Sequence, residues 1–307
     1  MVYDLIIIGG GPSAVSAGIY AARQKTKTLL IAKDFGGQVA KKAEKIKNYP
    51  GFEEISGLEL FEKFEKHLRA QSLEILIDEV ERIEKDKQGF RVFTAGQKEF
   101  LSKTALIASG GEPRLLNVGG EKEFIGKGVS YCTVCDGPLF AKKTLAVVGG
   151  GNSGFEAAIF LSKIAKKVYL LEAGPVVRAD EANQEAAGKI SNIEIIVSAE
   201  LKEIRGDKFV RSAVYEDKNV KEEKVLKVEG VFSEIGLVPA GSFAGNLVDF
   251  NEKKEIKIDP RTCETKTPGL FASGDVTDVK DKQIVVASGE GAKAALSVYE
   301  YLKKHQG

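Results

Sequence analysis

Cysteine is scarce in this chain, three among 307 residues. So few thiols exclude a small secreted scaffold stapled by disulfides, and in a reducing compartment a close pair reads as redox or metal chemistry. Charge bias is also missing. The 45 Lys and Arg against 44 Asp and Glu leave a net charge of +1. That excludes a nucleic-acid binder relying on general basicity, though not a local charged patch for a protein partner. No apolar run approaches the roughly 18 residues of a membrane span. The first apolar run, Leu5 to Ile8, enters a glycine loop at once and leaves no room for a secretory signal. Histidine is limited to His67 and His305. Neither these nor Cys263 stand at ligand spacing, so no metal site is expected. A cytoplasmic protein with no nucleic-acid or membrane partner follows.

Glycine, in contrast, is plentiful: 33 residues, many in loop positions typical of nucleotide sites. The length suits two domains of ordinary size. Leu5-Ile6-Ile7-Ile8 is apolar throughout, as a buried parallel strand should be. A glycine loop follows, then a helical stretch from Val15 to Arg23 and a second strand at Thr28–Ile31. Residues 58–70 read as an amphipathic helix, Glu74–Glu84 and Phe90–Phe93 as strands, and Ala105–Ala108 as another apolar strand. The plan then restarts with a strand at 144–148, a loop at 149–154, a helix at Phe155–Ile164 and a strand at 168–171. Further strands are expected near Glu194–Val197, Val210–Tyr215 and Val228–Phe232. A final helix runs from Gln283 to Lys304, its apolar positions recurring at helical spacing. The expected fold is α/β, with two Rossmann-like (three-layer ββα) nucleotide-binding domains, the second inserted into the first. Residues 1–113 and 245–307 form one domain and 114–244 the other, with Pro113, Gly119-Gly120 and Gly241–Gly245 marking the crossings.

Each loop position has a physical reason. In Gly9-x-Gly11-x-x-Ala14 the first glycine makes the turn, the second lets backbone approach a pyrophosphate, and the small third residue lets helix pack on strand. Pro12 and Ser13 open the helix whose N–H groups receive the phosphate. Gly149-x-Gly151-x-x-Gly154, with Asn152 and Ser153 inside it, is the fuller match. Glu172 closes the following strand where a carboxylate accepts from ribose hydroxyls. The first copy has no such acid, because Asp34 lies past its strand end.

Between the two loops stands Cys132-Thr133-Val134-Cys135-Asp136. Cysteines two residues apart can close on one another and share a thiolate, the species that attacks disulfides. Asp136 beside them can carry a proton. A zinc half-site and two inert core thiols are the other readings, the former wanting ligands. Cys263, unpaired and flanked by charges, reads as a cysteine without a role.

With these residues the chain resembles the low-molecular-weight thioredoxin reductases along essentially its whole length. The resemblance rests on Gly9–Ala14, Phe35-Gly36-Gly37-Gln38, Asn48-Tyr49-Pro50-Gly51, Ala108-Ser109-Gly110, Cys132–Asp136, Gly149–Gly154, and Gly274-Asp275 with Gln283. It implies FAD in the first domain along Gly11, Ser13, Gly37, Gln38, Asn48, Asp275 and Gln283, with Gly36, Gly110, Gly274 and Ile284 alongside. It also implies that Cys135 receives electrons from the flavin, Cys132 attacks the partner's disulfide, and Asp136 is the acid/base. A homodimer is the family expectation.

Two departures stand out. Where NADPH-using members carry a basic cluster, this chain reads Leu171-Glu172-Ala173-Gly174-Pro175-Val176-Val177-Arg178. A carboxylate repels a 2′-phosphate, so NADH is expected over NADPH, with Arg178 leaving weak NADPH use. The CxxCDGPLF segment, Leu-Glu-Ala, and Lys282-Gln283-Ile284 with Gly289–Lys293 are closer to the reductase module of the alkyl hydroperoxide reductase flavoprotein. That relative has an extra N-terminal thioredoxin-like region not found in this sequence. A separate thioredoxin- or glutaredoxin-like protein, or a peroxiredoxin system, is then expected to take the electrons. A flavin-dependent NADH oxidase, a ferredoxin–NAD(P) reductase and a nucleotide-binding regulatory flavoprotein remain as competing readings.

Overall fold

In the computed structural model, which describes residues 1–42 and 46–305, the chain divides into two compact units. One comprises Met1–Glu112 with Val238–Gly307, the other Pro113–Leu237. The first unit begins with β1 (Val2–Ile8), α1 (Pro12–Arg23) and β2 (Thr28–Ala32). Pro12 sits at the start of α1, where its missing N–H costs no helical bond. Next come α2 (Gly37–Lys42), α3 (Gly57–Arg69), β3 (Glu74–Ile77), β4 (Val80–Asp86), β5 (Gly89–Thr94) and β6 (Glu99–Ile107). Ser56 caps α3, its hydroxyl accepting the Glu59 N–H at 3.1 Å. The chain leaves the unit through β7 (Gly111–Pro113).

The second unit contains α4 (Glu121–Phe124), β8 (Val129–Ser130), α5 (Thr133–Asp136), β9 (Thr144–Val148), α6 (Asn152–Ser162) and β10 (Lys167–Leu171). Then follow α7 (Glu181–Gly188), β11 (Ile193–Ile196), β12 (Ala199–Gly206), β13 (Val210–Asp217), β14 (Glu222–Lys227) and β15 (Gly230–Ser233). The chain returns through β16 (Leu237–Pro239), and β17 (Leu270–Ala272) and α8 (Ile284–Lys304) complete the first unit.

Both units repeat one plan. In the first, β3, β2, β1, β6 and β17 run parallel in that order, while the beginning of β6 pairs antiparallel with β5 and β5 with β4. Alternate residues of β1 face opposite ways, as the period of two requires. Leu5 and Ile7 pack with Leu60, Leu68 and Val298 of the helices, and Ile6 and Ile8 with Phe90, Val92 and Val276. In the second unit the parallel order is β11-β10-β9-β15-β8. Leu145 and Val147 pack against Phe155 and Leu161 of α6, whereas Ala146 and Val148 meet Leu201, Ile204 and Tyr215 of the β12–β14 meander. Burying each such aliphatic side chain contributes about 1.5–3 kcal/mol. The fold class is the expected one: mixed α/β with two Rossmann-like sheets.

The return crossing differs from the glycine-based expectation at 241–245. β16 pairs with β7, and Ala240 N donates to Gly110 O at 2.9 Å. Strand pairing thus draws residues from Val238 onward into the first unit, glycines included.

Candidate active site

Cys132 and Cys135 are joined in a disulfide at the start of α5. Cys132 Sγ accepts the Cys135 N–H at 3.2 Å. A backbone donor aimed at sulfur favours thiolate over thiol once the pair is reduced. Cys132 is half-buried and Cys135 exposed. Further contacts hold the turn. Ser130 Oγ donates to Asp136 Oδ2 at 2.6 Å and accepts the Cys132 N–H at 3.0 Å. Asp136 therefore reaches Cys132 through a single hydroxyl. Thr133, buried inside the turn, donates to Glu234 Oε1 at 3.0 Å. Tyr131 donates to Glu121, a buried carboxylate that also accepts the N–H groups of Leu116 and Asn117 at 2.6 and 2.7 Å. Burial, then the Glu121 contact, push the Tyr131 phenol far above its usual range.

The second glycine loop lies in the same unit as this disulfide. Gly149 has φ +124°, and a Cβ there would stand 2.3 Å from the Glu234 carbonyl oxygen. Helix α6 starts without a side-chain cap or an acid in its first turn, leaving its N–H groups available to an anion. Ser153 is exposed there and Gly154 buried. Asn152 is engaged elsewhere: its amide donates to Asp180 Oδ2 at 2.8 Å and accepts the Asp180 N–H at 2.7 Å. Glu172 is 5% exposed. Its two oxygens accept the N–H groups of Gly150 and Gly174, each at 2.7 Å. Arg178 approaches the same carboxylate at 3.6 Å from the solvent side.

In the first unit, Gly9 repeats the Gly149 geometry, with φ +135° and a virtual Cβ 2.2 Å from Ala108 O. Gly36 N donates to Gly10 O at 3.1 Å, and Gly37 faces Gly11. Ser13 and Ser273 share a buried hydrogen bond of 2.6 Å, and Gly274 N donates to Glu290 at 3.1 Å. Asn48 donates to the Gln283 side chain at 3.2 Å, and Gln38 to Gly111 O at 3.3 Å. These contacts link Gly9–Ala14, Gly36–Gln38, Asn48, the Gly110 turn, Gly274, Asp275, Gln283 and Ile284 into one region of the unit.

A family model for pyridine nucleotide-disulphide oxidoreductases matches residues 3–291. The chain belongs to the pyridine nucleotide-disulphide oxidoreductase family. The F subunit of alkyl hydroperoxide reductase from Staphylococcus epidermidis is 41% identical over 301 residues, 98% of this chain and 59% of that protein. The chain thus spans about 59% of the length of the curated relatives it matches. Thioredoxin reductase of Lactococcus lactis superposes with a TM-score of 0.94 at 36% identity, covering 98% of this chain and 99% of that one. For the T. acidophilum thioredoxin reductase the values are 0.91, 38%, 97% and 98%.

Membership in this family implies FAD and a pyridine nucleotide, and the residues fit both. In the first unit α1 and α8 each begin without a side-chain cap or a first-turn acid, which suits a pyrophosphate and a partial negative charge. Among the described residues, Gln38 Oε1 is buried without a donor. Burial also pushes the Asp275 carboxyl above its usual range. Both are acceptors that an N–H- and hydroxyl-bearing ligand would satisfy. In the second unit the uncapped α6 and the strand-end carboxylate of Glu172 suit a dinucleotide. Ser130, Thr133, Glu234 and the Tyr131–Glu121 pair are not legible in the sequence. Only the position of Glu234, at the end of the apolar run Val231-Phe232, carries a local signal.

Proposed function

We propose that this family member passes electrons from NADH, in preference to NADPH, through FAD to the Cys132–Cys135 disulfide. From there they go to the disulfide of a thioredoxin- or glutaredoxin-like protein, and the enzyme works as a cytoplasmic homodimer. The observation that carries this reading is the Cys132–Cys135 disulfide beside a complete dinucleotide loop in one unit. When bound, FAD supplies two-electron transfer between a nicotinamide and a disulfide; Gly11, Ser13, Gly37, Gln38, Asn48, Asp275 and Gln283 would hold it. In the reduced pair, the Cys135 N–H favours thiolate on Cys132. That thiolate attacks the partner's disulfide, forming a mixed disulfide and expelling one partner thiolate. Asp136, held by Ser130, takes the Cys135 proton. Cys135 then attacks Cys132 Sγ, re-forms the intramolecular disulfide and expels the partner's second sulfur, which leaves as a thiol by taking the proton back from Asp136. Exposure ranks the sulfurs the other way, so the division of roles follows the resemblance and the N–H contact. Trapping the mixed disulfide in Cys135→Ser but not in Cys132→Ser supports it, and the reverse pattern reverses the roles.

The NADH preference rests on Glu172, buried and doubly hydrogen-bonded where a 2′-phosphate would lie. A peroxiredoxin system as final acceptor is a second reading, favoured by the 41% identity to the F subunit of alkyl hydroperoxide reductase. The test is an anaerobic titration of FAD-loaded protein. NADH should bleach the flavin faster than NADPH and be consumed at more than one equivalent per flavin. Comparable kcat/KM for the two nucleotides removes the NADH preference. Cys135→Ser should lose disulfide reduction yet keep NADH-dependent reduction of artificial acceptors; retained disulfide reduction points to an oxidase or ferredoxin-linked flavoprotein instead.

A further inference from the structure

Glu234 follows β15, the strand between β9 and β8. The residue is 7% exposed and fixed at each end. Its N–H donates to Val148 O at 2.8 Å, and its carbonyl lies where a side chain on Gly149 would be. The carboxylate reaches in the other direction and takes the buried Thr133 hydroxyl at 3.0 Å. Thr133 lies between the two cysteines in sequence. One residue thus touches both the nucleotide loop and the redox turn, and it brings a charge to a place with little water. We propose that Glu234 is a positioning residue for the dithiol: it anchors the redox turn through Thr133, and its charge makes the Cys132–Cys135 pair a stronger reductant. The inference rests on reading that pair as redox-active.

Anchoring alone would not need a carboxylate, because an amide oxygen accepts the Thr133 hydroxyl as well. What the carboxylate adds is charge. Reduction by two electrons and one proton breaks the S–S bond and leaves one thiol and one thiolate. A buried negative charge nearby disfavours the thiolate, so it disfavours the reduced pair wherever the thiolate is populated. Other acids lie nearby: Asp136 on α5 holds Ser130, and on α6 the Glu156 carboxyl is pushed up by burial, with the charges of Glu234 and Asp180 adding to it. Of these four, Glu234 is the one that is buried with its donor inside the turn.

Glu234→Gln separates charge from anchoring. The FAD-loaded enzyme is equilibrated with reduced and oxidised dithiothreitol, acid-quenched and alkylated, and the free Cys132 and Cys135 are counted by mass. Dithiothreitol loses two electrons and closes to its cyclic disulfide; one of its protons stays on a cysteine and the other enters solvent. At about pH 8.5 the variant should be half-reduced at a dithiothreitol ratio roughly three- to tenfold lower than native. The shift should shrink as the pH falls and the thiolate takes up a proton. An unchanged midpoint at every pH in folded protein overturns the proposal, and so does a shift of equal size at every pH, the mark of a merely loosened turn. If the variant does not fold, Glu234→Ser, which also removes the charge, is used and should shift the midpoint in the same direction with the same pH dependence; no shift overturns the proposal. Because no nicotinamide enters the assay, failure of NADH to reduce the flavin leaves this result standing. A native pair that dithiothreitol cannot reduce at all would remove the redox reading itself.

Discussion

In the first unit the glycine loop is fastened by backbone: Gly10 O accepts the Gly36 N–H, and the turn packs on the Ala108 carbonyl. In the second, the backbone fastening is kept, with Gly150 O accepting the N–H groups of Arg178 and Ala179 at 2.8 and 3.1 Å, and side chains are added to it. Glu172 takes the Gly150 N–H, Asn152 grips Asp180, and the turn packs on the carbonyl of Glu234, whose own side chain continues to Thr133. The acid proposed to face the ligand also moves. The second unit has it at the end of β10, where a ribose hydroxyl would be read; the first has Asp275 just after β17, at the other side of its sheet. On the proposed reading one βα turn serves two ligands, and the residues around it decide which.

The largest test of that division breaks each turn separately. Gly9→Ala and Gly149→Ala place a methyl at positive φ about 2.2–2.3 Å from a backbone carbonyl, with no flexible side chain to yield. Gly9→Ala should purify nearly free of FAD. Gly149→Ala should keep FAD but lose NADH-driven flavin bleaching by about a hundredfold or more, the scale of several kcal/mol. Absorbance of the purified proteins and stopped-flow reduction check both. Loss of FAD from Gly149→Ala would show the loops are not independent.

A smaller effect is expected at the carboxylate that distinguishes the second loop. In Glu172→Gln one oxygen becomes an NH2 group facing a backbone N–H, so a buried donor loses its acceptor. NADH kcat/KM should fall roughly tenfold, while NADPH loses less because the repelling charge is gone. The ratio of the two specificities therefore narrows. A ratio unmoved by the change would mean that Glu172 organises the loop without reading the nucleotide.

What the sequence makes legible is what is local. Apolar runs, turn glycines and the spacing from Gly149 to Glu172 all lie within a βαβ unit, so strand, loop and acid follow one another along the chain. What escapes is long-range or masked by charge. Thr133–Glu234 and Tyr131–Glu121 join residues distant in sequence or hidden from any periodicity, and each acid alone resembles an ordinary surface charge. β12 and β14 escape because Glu200, Lys202, Glu203 and Arg205, and Glu222, Glu223 and Lys224, obscure their alternation. Glu74–Glu84 reads as one strand but is two: β3 continues the parallel sheet beside β2, and β4 turns back to pair with β5. Glycine marks a turn at 241–245, but hydrogen bonding between β7 and β16 decides where a unit ends.

Asp275 tests the first unit through stability. Burial holds its folded-state pKa above the ordinary carboxylate value. Between those two values the folded protein binds more proton than the unfolded one, so FAD-free protein loses stability as pH rises through that window. Asp275→Asn removes this dependence. Without FAD the variant should have the higher Tm at neutral pH, and the difference should vanish in acid below the ordinary carboxylate pKa. With FAD the order should reverse, because a charged carboxylate accepts a ligand hydroxyl more strongly than the neutral amide that replaces it. Melting curves with and without FAD check it; a lower Tm in both states would make Asp275 a structural residue.

The smallest effect belongs to the remaining cysteine and sets the two units' thiols against one another. Cys263 is fully buried in the first unit's core; it donates a long contact to Glu290 O at 3.8 Å, and the nearby Lys293 ammonium offsets part of the effect of burial on the thiol. Burial pushes its thiol up to about 11, so at neutral pH the unreactive thiol form dominates. Cys132, with a backbone N–H on its sulfur, is the opposite environment within the same chain. Brief alkylation of the reduced native enzyme should therefore label the Cys132–Cys135 pair and spare Cys263. Cys263→Ala should cost about 1 kcal/mol of stability through the small cavity it leaves, with disulfide reduction within about twofold of native. Labelling of Cys263 at a rate comparable to Cys132 would show that the first unit opens around α8 far more readily than its packing implies, and would undo the contrast between an inert and a reactive thiol.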